Sequence, residues 1–278
     1  MSGFSPEWLG LREPADHRAR DAFLAMELAD RLQSLASVRV VDLGCGTGSN
    51  LRATYAVLGR EQHWTLVDYD ARLLTAARAT LTSWADSSAI DGDKVALKKS
   101  GKTLVVGFRQ ADLVTDLDSA LGHDCNLVTA SALFDLCSVE FIERFARAVA
   151  ERRAIFYTVL TYNGIQRWTP RHASDAAMAA AFHAHQMTDK GFGRASGPQA
   201  PKALSDAFKG AGYTVQEGDS PWLLTRSDAA LVDALVPGFA GAVRETALVP
   251  GAMIDAWLAQ PRHGSEVGHT DTLALPAA

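Results

Sequence analysis

Cysteine is scarce: three residues in 278, Cys45, Cys125 and Cys137, an odd number with no Cys-x-x-Cys among them. That excludes a disulfide framework and a cysteine-rich metal finger, and it suits free, buried thiols in a reducing compartment. Positive charge is not in excess either. Lys plus Arg number 27 against 32 Asp plus Glu, a net charge of -5, so the overall field favours neither nucleic acid nor an anionic membrane. No apolar run is long enough to span a bilayer. The opening MSGFSPEWLG lacks the basic-then-apolar pattern of a secretory leader. The expectation from these absences is a cytoplasmic protein with no membrane and no nucleic-acid partner. No internal repeat, low-complexity block or linker divides the chain, so 1–278 is expected to be one domain.

What is present is alternation. Residues 15–37 read as a helix, with Leu24, Leu28, Leu32 and Leu35 on one stripe. SVRVVDL is short, β-branched and apolar, as a buried strand should be. Leu51, Tyr55 and Leu58 mark a helix stopping at Gly59, and HWTLVDYD is a second strand. Leu73, Ala77, Leu81 and Trp84 line the next helix. The stretch DGDKVALKKSGKTLVVGFRQADL reads as a hairpin turning at Ser100–Gly101, its second arm entering the sheet. DCNLVTAS and AIFYTVLTY are further strands, with Phe141, Phe145 and Val149 on the inner face of the helix between them. Strand–helix alternation of this kind predicts an α/β fold: a mostly parallel sheet with helices on both faces. Beyond residue 162 the pattern loosens. Helices are expected over 174–187, 201–212, 228–236 and 250–260, the last two separated at Pro237–Gly238; YTVQEG and SPWLLTR are β-like, and EVGHTDTLALP reads as the final strand.

VVDLGCGTGSN, residues 40–50, poses the functional question. Three glycines alternate with small residues directly after a buried strand. Glycine permits positive φ and lets backbone N–H groups approach a ligand at the carboxyl end of the strand. The dinucleotide fingerprint is G-x-G-x-x-G; here Gly44, Gly46 and Gly48 give G-x-G-x-G, preceded by Asp42.

DLGCGTG resembles motif I of the class I S-adenosylmethionine-dependent methyltransferases. LVDYD, about twenty residues on, and RQADL after the third strand fall in the order that family requires. The resemblance covers residues 38–162 and implies a Rossmann-like fold, with seven strands, the last antiparallel over 266–275. It implies S-adenosyl-L-methionine as cofactor. Asp42, Gly44, Cys45, Gly46 and Gly48 would form the loop against the methionine part. Asp68, with Tyr69 beside it, would accept both ribose hydroxyls, since a carboxylate can take two donors; Asp70 is the better helix cap. Asp112, framed by Ala111 and Leu113, would meet the adenine amino group. Ala130 and Ser131 would lie under the cofactor beside the acceptor. No metal is required.

For the reaction, the resemblance implies methyl transfer to an O or N atom, and the acidic charge favours a small-molecule acceptor. Asp135 is placed to act as base or anchor, or to cap the next helix. Tyr162 is placed to bond an acceptor, or to pack. Residues 1–37 would cap the cofactor, with Arg12, Arg18 or Arg20 within reach of its carboxylate. Residues 163–200 would form a lid-like insert, and 227–262 a helical insert before the last strand. In the lid, His183 and His185 are two apart on a helix and do not share a face; His185 lies on the side of Met178 and Phe182. Trp168, His269 and Asp271 are assigned to packing and hydrogen bonding. A protein or RNA methyltransferase, needing an open groove, and a non-catalytic cofactor-binding regulatory subunit are the rival readings. The oligomeric state is left open.

Overall fold

The structure, a computed structural model, describes residues 4–277; the outermost residues of the expected 1–37 cap and 1–278 domain lie outside it. Two helices open the chain, α1 (Pro6–Ala19) and α2 (Ala22–Leu32), then β1 (Ser37–Leu43), α3 (Ser49–Thr54), β2 (Glu61–Asp68), α4 (Ala71–Trp84), β3 (Ser87–Asp91), β4 (Lys94–Lys99) and β5 (Lys102–Gln110). There follow α5 (Leu113–Leu121), β6 (Leu127–Ser131), α6 (Val139–Glu151), β7 (Ile155–Thr169), α7 (Asp175–Gln186) and α8 (Ala200–Gly210). The chain closes with β8 (Tyr213–Asp219), β9 (Trp222–Leu224), α9 (Ala229–Thr246), α10 (Gly251–Leu258) and β10 (Gly264–Pro276).

All strands join one ten-stranded sheet of order β3-β4-β5-β2-β1-β6-β7-β10-β8, with β9 paired to β10. The core β5-β2-β1-β6-β7 is parallel, and β10 runs antiparallel to both β7 and β8. This is the class I methyltransferase arrangement expected from the sequence, enlarged. Three strands exceed the expected seven: the β3–β4 pair, which extends the β5 edge as an antiparallel meander, and the short β9. The β4–β5 turn falls at Ser100 and Gly101, both at positive φ, as two-residue hairpin turns demand.

Alternating side chains of the parallel strands feed two cores, one on each face. Val40, Trp64, Leu66, Leu104 and Val159 meet Leu24, Leu28 and Leu32 of α2 and Leu81 of α4 on one side. On the other, Val41, Leu43, Val128 and Phe156 meet α5, α6 and α8. A third core gathers Trp168, Met178, Phe239, Val243 and Trp257 from β7, α7, α9 and α10. Trp168 therefore packs, as expected. Phe182, Leu235 and Val236 touch both this core and the first, so the C-terminal insert grows out of the sheet. The three cysteines are free and buried. No helix among the described residues is long and apolar enough to cross a membrane.

Three boundaries differ from the sequence expectation. The single helix over 15–37 is two: Asp21 caps α2, its carboxylate accepting the Leu24 amide at 2.8 Å, and its own amide goes to Asp271 Oδ2 at 2.9 Å. A distant strand thus breaks the helix. The strand expected to end at Tyr162 does not stop there: β7 runs on to Thr169, pairing with Gly264–Val267 of β10, so the first residues of 163–200 are strand. And α9 passes through Pro237, because its buried face, from Leu231 and Val232 to Phe239, Ala240 and Val243, is continuous across the break the proline would impose.

Candidate functional site

The carboxyl ends of β1, β2, β5, β6 and β7 lie side by side. Leu43 is registered with Val67 and with Ala130, Asp68 with Gln110, and Ser131 with Val159. The loop leaving β1 turns sharply there. Gly44, Gly46 and Gly48 all have positive φ (60°, 53° and 78°), and the Cys45 amide donates to Val67 O at 3.0 Å. The absent side chains make room: a Cβ on Gly44 would stand 3.2 Å from Leu133, and one on Gly46 only 2.9 Å from Leu9 of α1.

Asp68 is bound into this turn. Its Oδ2 accepts the Gly46 amide at 2.9 Å and its Oδ1 the Asp70 amide at 3.0 Å. Asp70 caps α4, accepting from the Arg72 amide at 2.8 Å, as anticipated. Burial raises the Asp68 pKa, against the lowering effect of those amides. The Tyr69 side chain is mostly exposed, and its carbonyl takes Gln110 Nε2 at 3.1 Å. Ala111 and Leu113 are buried, with the Ala111 amide on Asp68 O at 3.1 Å. Asp112 caps α5 through Oδ1, accepting from the Val114 amide at 2.8 Å.

Asp42 is fully buried. Its Oδ1 accepts from Asn50 Nδ2 at 2.7 Å, which also reaches Thr129 Oγ1 at 3.1 Å, while Oδ2 has no partner. Burial pushes its pKa up to about 7; the Asn50 bond opposes the shift. Arg20, at the α1–α2 junction, adds an opposite charge nearby. Its Nη1 donates to Thr54 Oγ1 at 3.0 Å, whereas Nε and Nη2 are buried without partners. Buried polar groups without a partner are uncommon. Of the three arginines within reach, Arg12 is bidentate to Asp16 and Arg18 is paired with Asp228; Arg20 alone of the three has buried donors without a partner.

Helix α1 is fastened to the glycine loop by residues the sequence reading passed over. Arg52 of α3 binds Glu13 of α1 and donates through Nη1 to Thr47 O at 2.8 Å, and His17 Nε2 lies 3.0 Å from Ser49 Oγ. The spacing Glu13, His17, Arg20, one turn apart along the chain, was the available signal.

On the other side of the β6 end, Ala130 O accepts from Thr158 Oγ1 at 3.2 Å, and Ser131 is half-buried. Asp135 follows in a short turn. It does not cap α6, because Ser138 does, accepting from the Phe141 amide at 3.1 Å. Its Oδ1 is out of water and unpartnered, and burial raises its pKa to about 6. Tyr162, buried at the end of the parallel part of β7, bonds through its hydroxyl to His183 Nε2 at 3.0 Å. The inward histidine of α7 is thus His183; His185 turns away to Glu245 of α9, Nε2 to Oε2 at 3.0 Å. His269 is buried against Trp222 and Tyr162, and burial lowers its pKa to about 3. Asp271 is structural, as expected, taking the Leu160 amide and the Ser220 hydroxyl on Oδ1.

No protein-family model matches the chain, and no curated protein matches it. Solved structures do. A cyclopropane-fatty-acyl-phospholipid synthase-like protein from Lactobacillus casei superposes with a TM-score of 0.52 at 13% identity, over 98% of this chain and 95% of its own. The YcgJ protein from Bacillus subtilis gives 0.51 at 11% identity, over 93% of this chain and 100% of its own. Magnesium protoporphyrin IX methyltransferase from Synechocystis, solved with SAM bound, aligns over 100% of this chain and 87% of its own at 11% identity, with a TM-score of 0.48. At these identities the first two likenesses speak for the fold alone.

Proposed function

We propose that this protein is an S-adenosylmethionine-dependent methyltransferase acting on an O or N atom of a small molecule. The observation that carries the reading is the Asp42–Arg20 juxtaposition beside the glycine loop. An unpartnered carboxylate oxygen and unpartnered guanidinium donors lie buried where the amino-acid tail of the cofactor, with its ammonium and carboxylate, would be received. The remaining residues fit as well. Each Asp68 oxygen takes one backbone amide and keeps a second acceptor site for the ribose hydroxyls. Asp112, with one oxygen on its cap bond, keeps the other for an adenine amino group, between Ala111 and Leu113. Gly44, Cys45, Gly46 and Gly48 supply the loop, and Ala130 and Ser131 the floor towards the acceptor. Tyr69 would contribute through its backbone, its side chain being turned to solvent.

Bound there, the cofactor would supply an electrophilic methyl group on a sulfonium sulfur. The protein's part is to hold the acceptor in line with that methyl, exclude water and manage a proton. Leu9, Leu133 and the Glu13–Arg52 clasp keep the loop covered. Asp135 and Tyr162, both at the acceptor side, are the groups positioned to bond the acceptor. On that side α7 packs on α9 and on β7, an arrangement that suits a small molecule rather than an open peptide or RNA groove.

Calorimetric titration with S-adenosylmethionine, S-adenosylhomocysteine and NAD tests the reading. Micromolar binding of the first two and not the third, lost in Asp68→Ala, is expected. Absence of binding by the wild-type protein, or binding indifferent to Asp68, would refute it and favour a non-catalytic role.

A further inference from the structure

The bond between Tyr162 and His183 joins the sheet to the lid. Tyr162 stands where β7 leaves the parallel sheet; His183 is on α7, twenty-one residues later. The contact is built from both sides. Phe182, its neighbour, packs its ring edge-on to Tyr162 at 6.0 Å between centroids. The His183 ring lies over Gly164, whose φ is +94° and whose Cβ, if present, would stand 3.9 Å from Cε1 and 3.1 Å from Pro198. The glycine answers to the positive φ and to Pro198, while the imidazole sits beside it at ordinary contact distance.

Chemistry orients the pair. Burial, helped by the nearby Asp135 carboxylate, raises the Tyr162 pKa, so the phenol keeps its proton. In the tautomer that carries the ring proton on Nδ1, the Tyr162 hydroxyl donates to His183 Nε2. The other charged and titratable groups about the pair are Asp135 from the turn after β6, His269 from β10, and Arg12 of α1, which acts on both of them. His269 stays neutral, and Arg12 is committed to Asp16. Asp135 is in the field of Tyr162 but makes no hydrogen bond to it. Among the described residues, the one base in hydrogen-bond contact with the phenol is His183.

We propose that Tyr162 and His183 together take the proton of the methyl acceptor, and that the acceptor is accordingly a hydroxyl compound of the phenol class rather than a carboxylate, which has no proton to lose. The inference rests on the methyl-transfer reading above. In the step, the acceptor oxygen bonds to the methyl carbon as the carbon–sulfur bond breaks, its electron pair remaining on sulfur. The acceptor proton passes to Tyr162 Oη while the Tyr162 proton passes to His183 Nε2. His183, half-buried, then returns the proton to solvent. Tyr162 is the catalytic residue; His183 acts through it as a positioning and proton-accepting residue.

The test uses 4-nitrophenol, whose phenolate absorbs visibly, titrated into the S-adenosylhomocysteine-saturated full-length protein across pH. Bound probe should ionise about one pH unit below free probe, a roughly tenfold gain of phenolate. Tyr162→Phe removes the relay. His183→Gln keeps an acceptor for the Tyr162 hydroxyl but cannot hold a proton, so a purely structural latch survives it and a base does not. Both variants should bind S-adenosylhomocysteine as the wild type does and return the probe to its free ionisation. Failure of the wild type to take up or ionise the probe, or a displacement that persists in His183→Gln, would overturn the proposal while leaving cofactor binding standing. Failure to bind S-adenosylhomocysteine would instead bring down the cofactor reading beneath it.

Discussion

Asp68 reaches back from the end of β2 to the middle of the glycine loop, its Oδ2 accepting the Gly46 amide at 2.9 Å. One carboxylate therefore sets both the second strand's exit and the shape of the turn leaving the first. Gly46 is pinned from the other side by Leu9, 2.9 Å from where a Cβ would be, and its φ is +53°.

Gly46→Ala should destabilise the fold by about 1–3 kcal/mol, from left-handed strain and overpacking together. Adding Leu9→Ala should recover the overpacking share and leave the strain. Urea unfolding of the two variants and the pair separates them; full recovery in the double variant would mean the backbone at Gly46 is unstrained.

Arg20→Gln should weaken S-adenosylhomocysteine binding about tenfold or more, the worth of a lost charge-assisted hydrogen bond. Binding of 5′-methylthioadenosine, which lacks the amino-acid tail, should be unchanged. Equal losses for the two ligands would place Arg20 outside the tail site.

Asp42 makes stability depend on pH. Its folded pKa of about 7 lies above the ordinary 3.8, so the folded state binds the proton more tightly than the unfolded chain. The Asp42 contribution is therefore fully present below about pH 4 and is lost as pH rises towards 7, by on the order of a few kcal/mol. Asp42→Asn should flatten denaturation midpoints between about pH 4 and 7. It should also remove a rise in S-adenosylhomocysteine affinity over the same range, where ionised Asp42 meets the ligand ammonium. A wild-type-like pH profile in the variant would assign the dependence to another group.

Asp271→Ala would strand the Leu160 and Asp21 amides and the Ser220 hydroxyl that its carboxylate now satisfies, at about 3 kcal/mol or more. Gly218→Ala should act on the same junction, because a Cβ there would sit 2.5 Å from the Asp21 carboxyl. Urea midpoints should fall for both; an unchanged midpoint in either would show that the α1–α2 junction relaxes freely.

Local signals made the central parts legible in the sequence. Short β-branched runs, helical stripes and the three alternating glycines gave the parallel sheet and the edge on which Asp42, Asp68, Asp112 and Ser131 meet, because period and turn chemistry are properties of neighbouring residues. The Ser100–Gly101 turn and the Asp70 cap were readable for the same reason. What tertiary structure alone decided are pairings distant in sequence. Asp271 breaks the N-terminal helix at Asp21 from 250 residues away. The strand β10 draws β7 out to Thr169, and a continuous apolar face carries α9 through Pro237. That Arg20 has buried donors without partners while Arg12 and Arg18 are ion-paired, and that His183 meets Tyr162 while His185 meets Glu245, depends on contacts distant in sequence. No spacing rule encodes that, since a partner's position is fixed only when the chain has closed on itself.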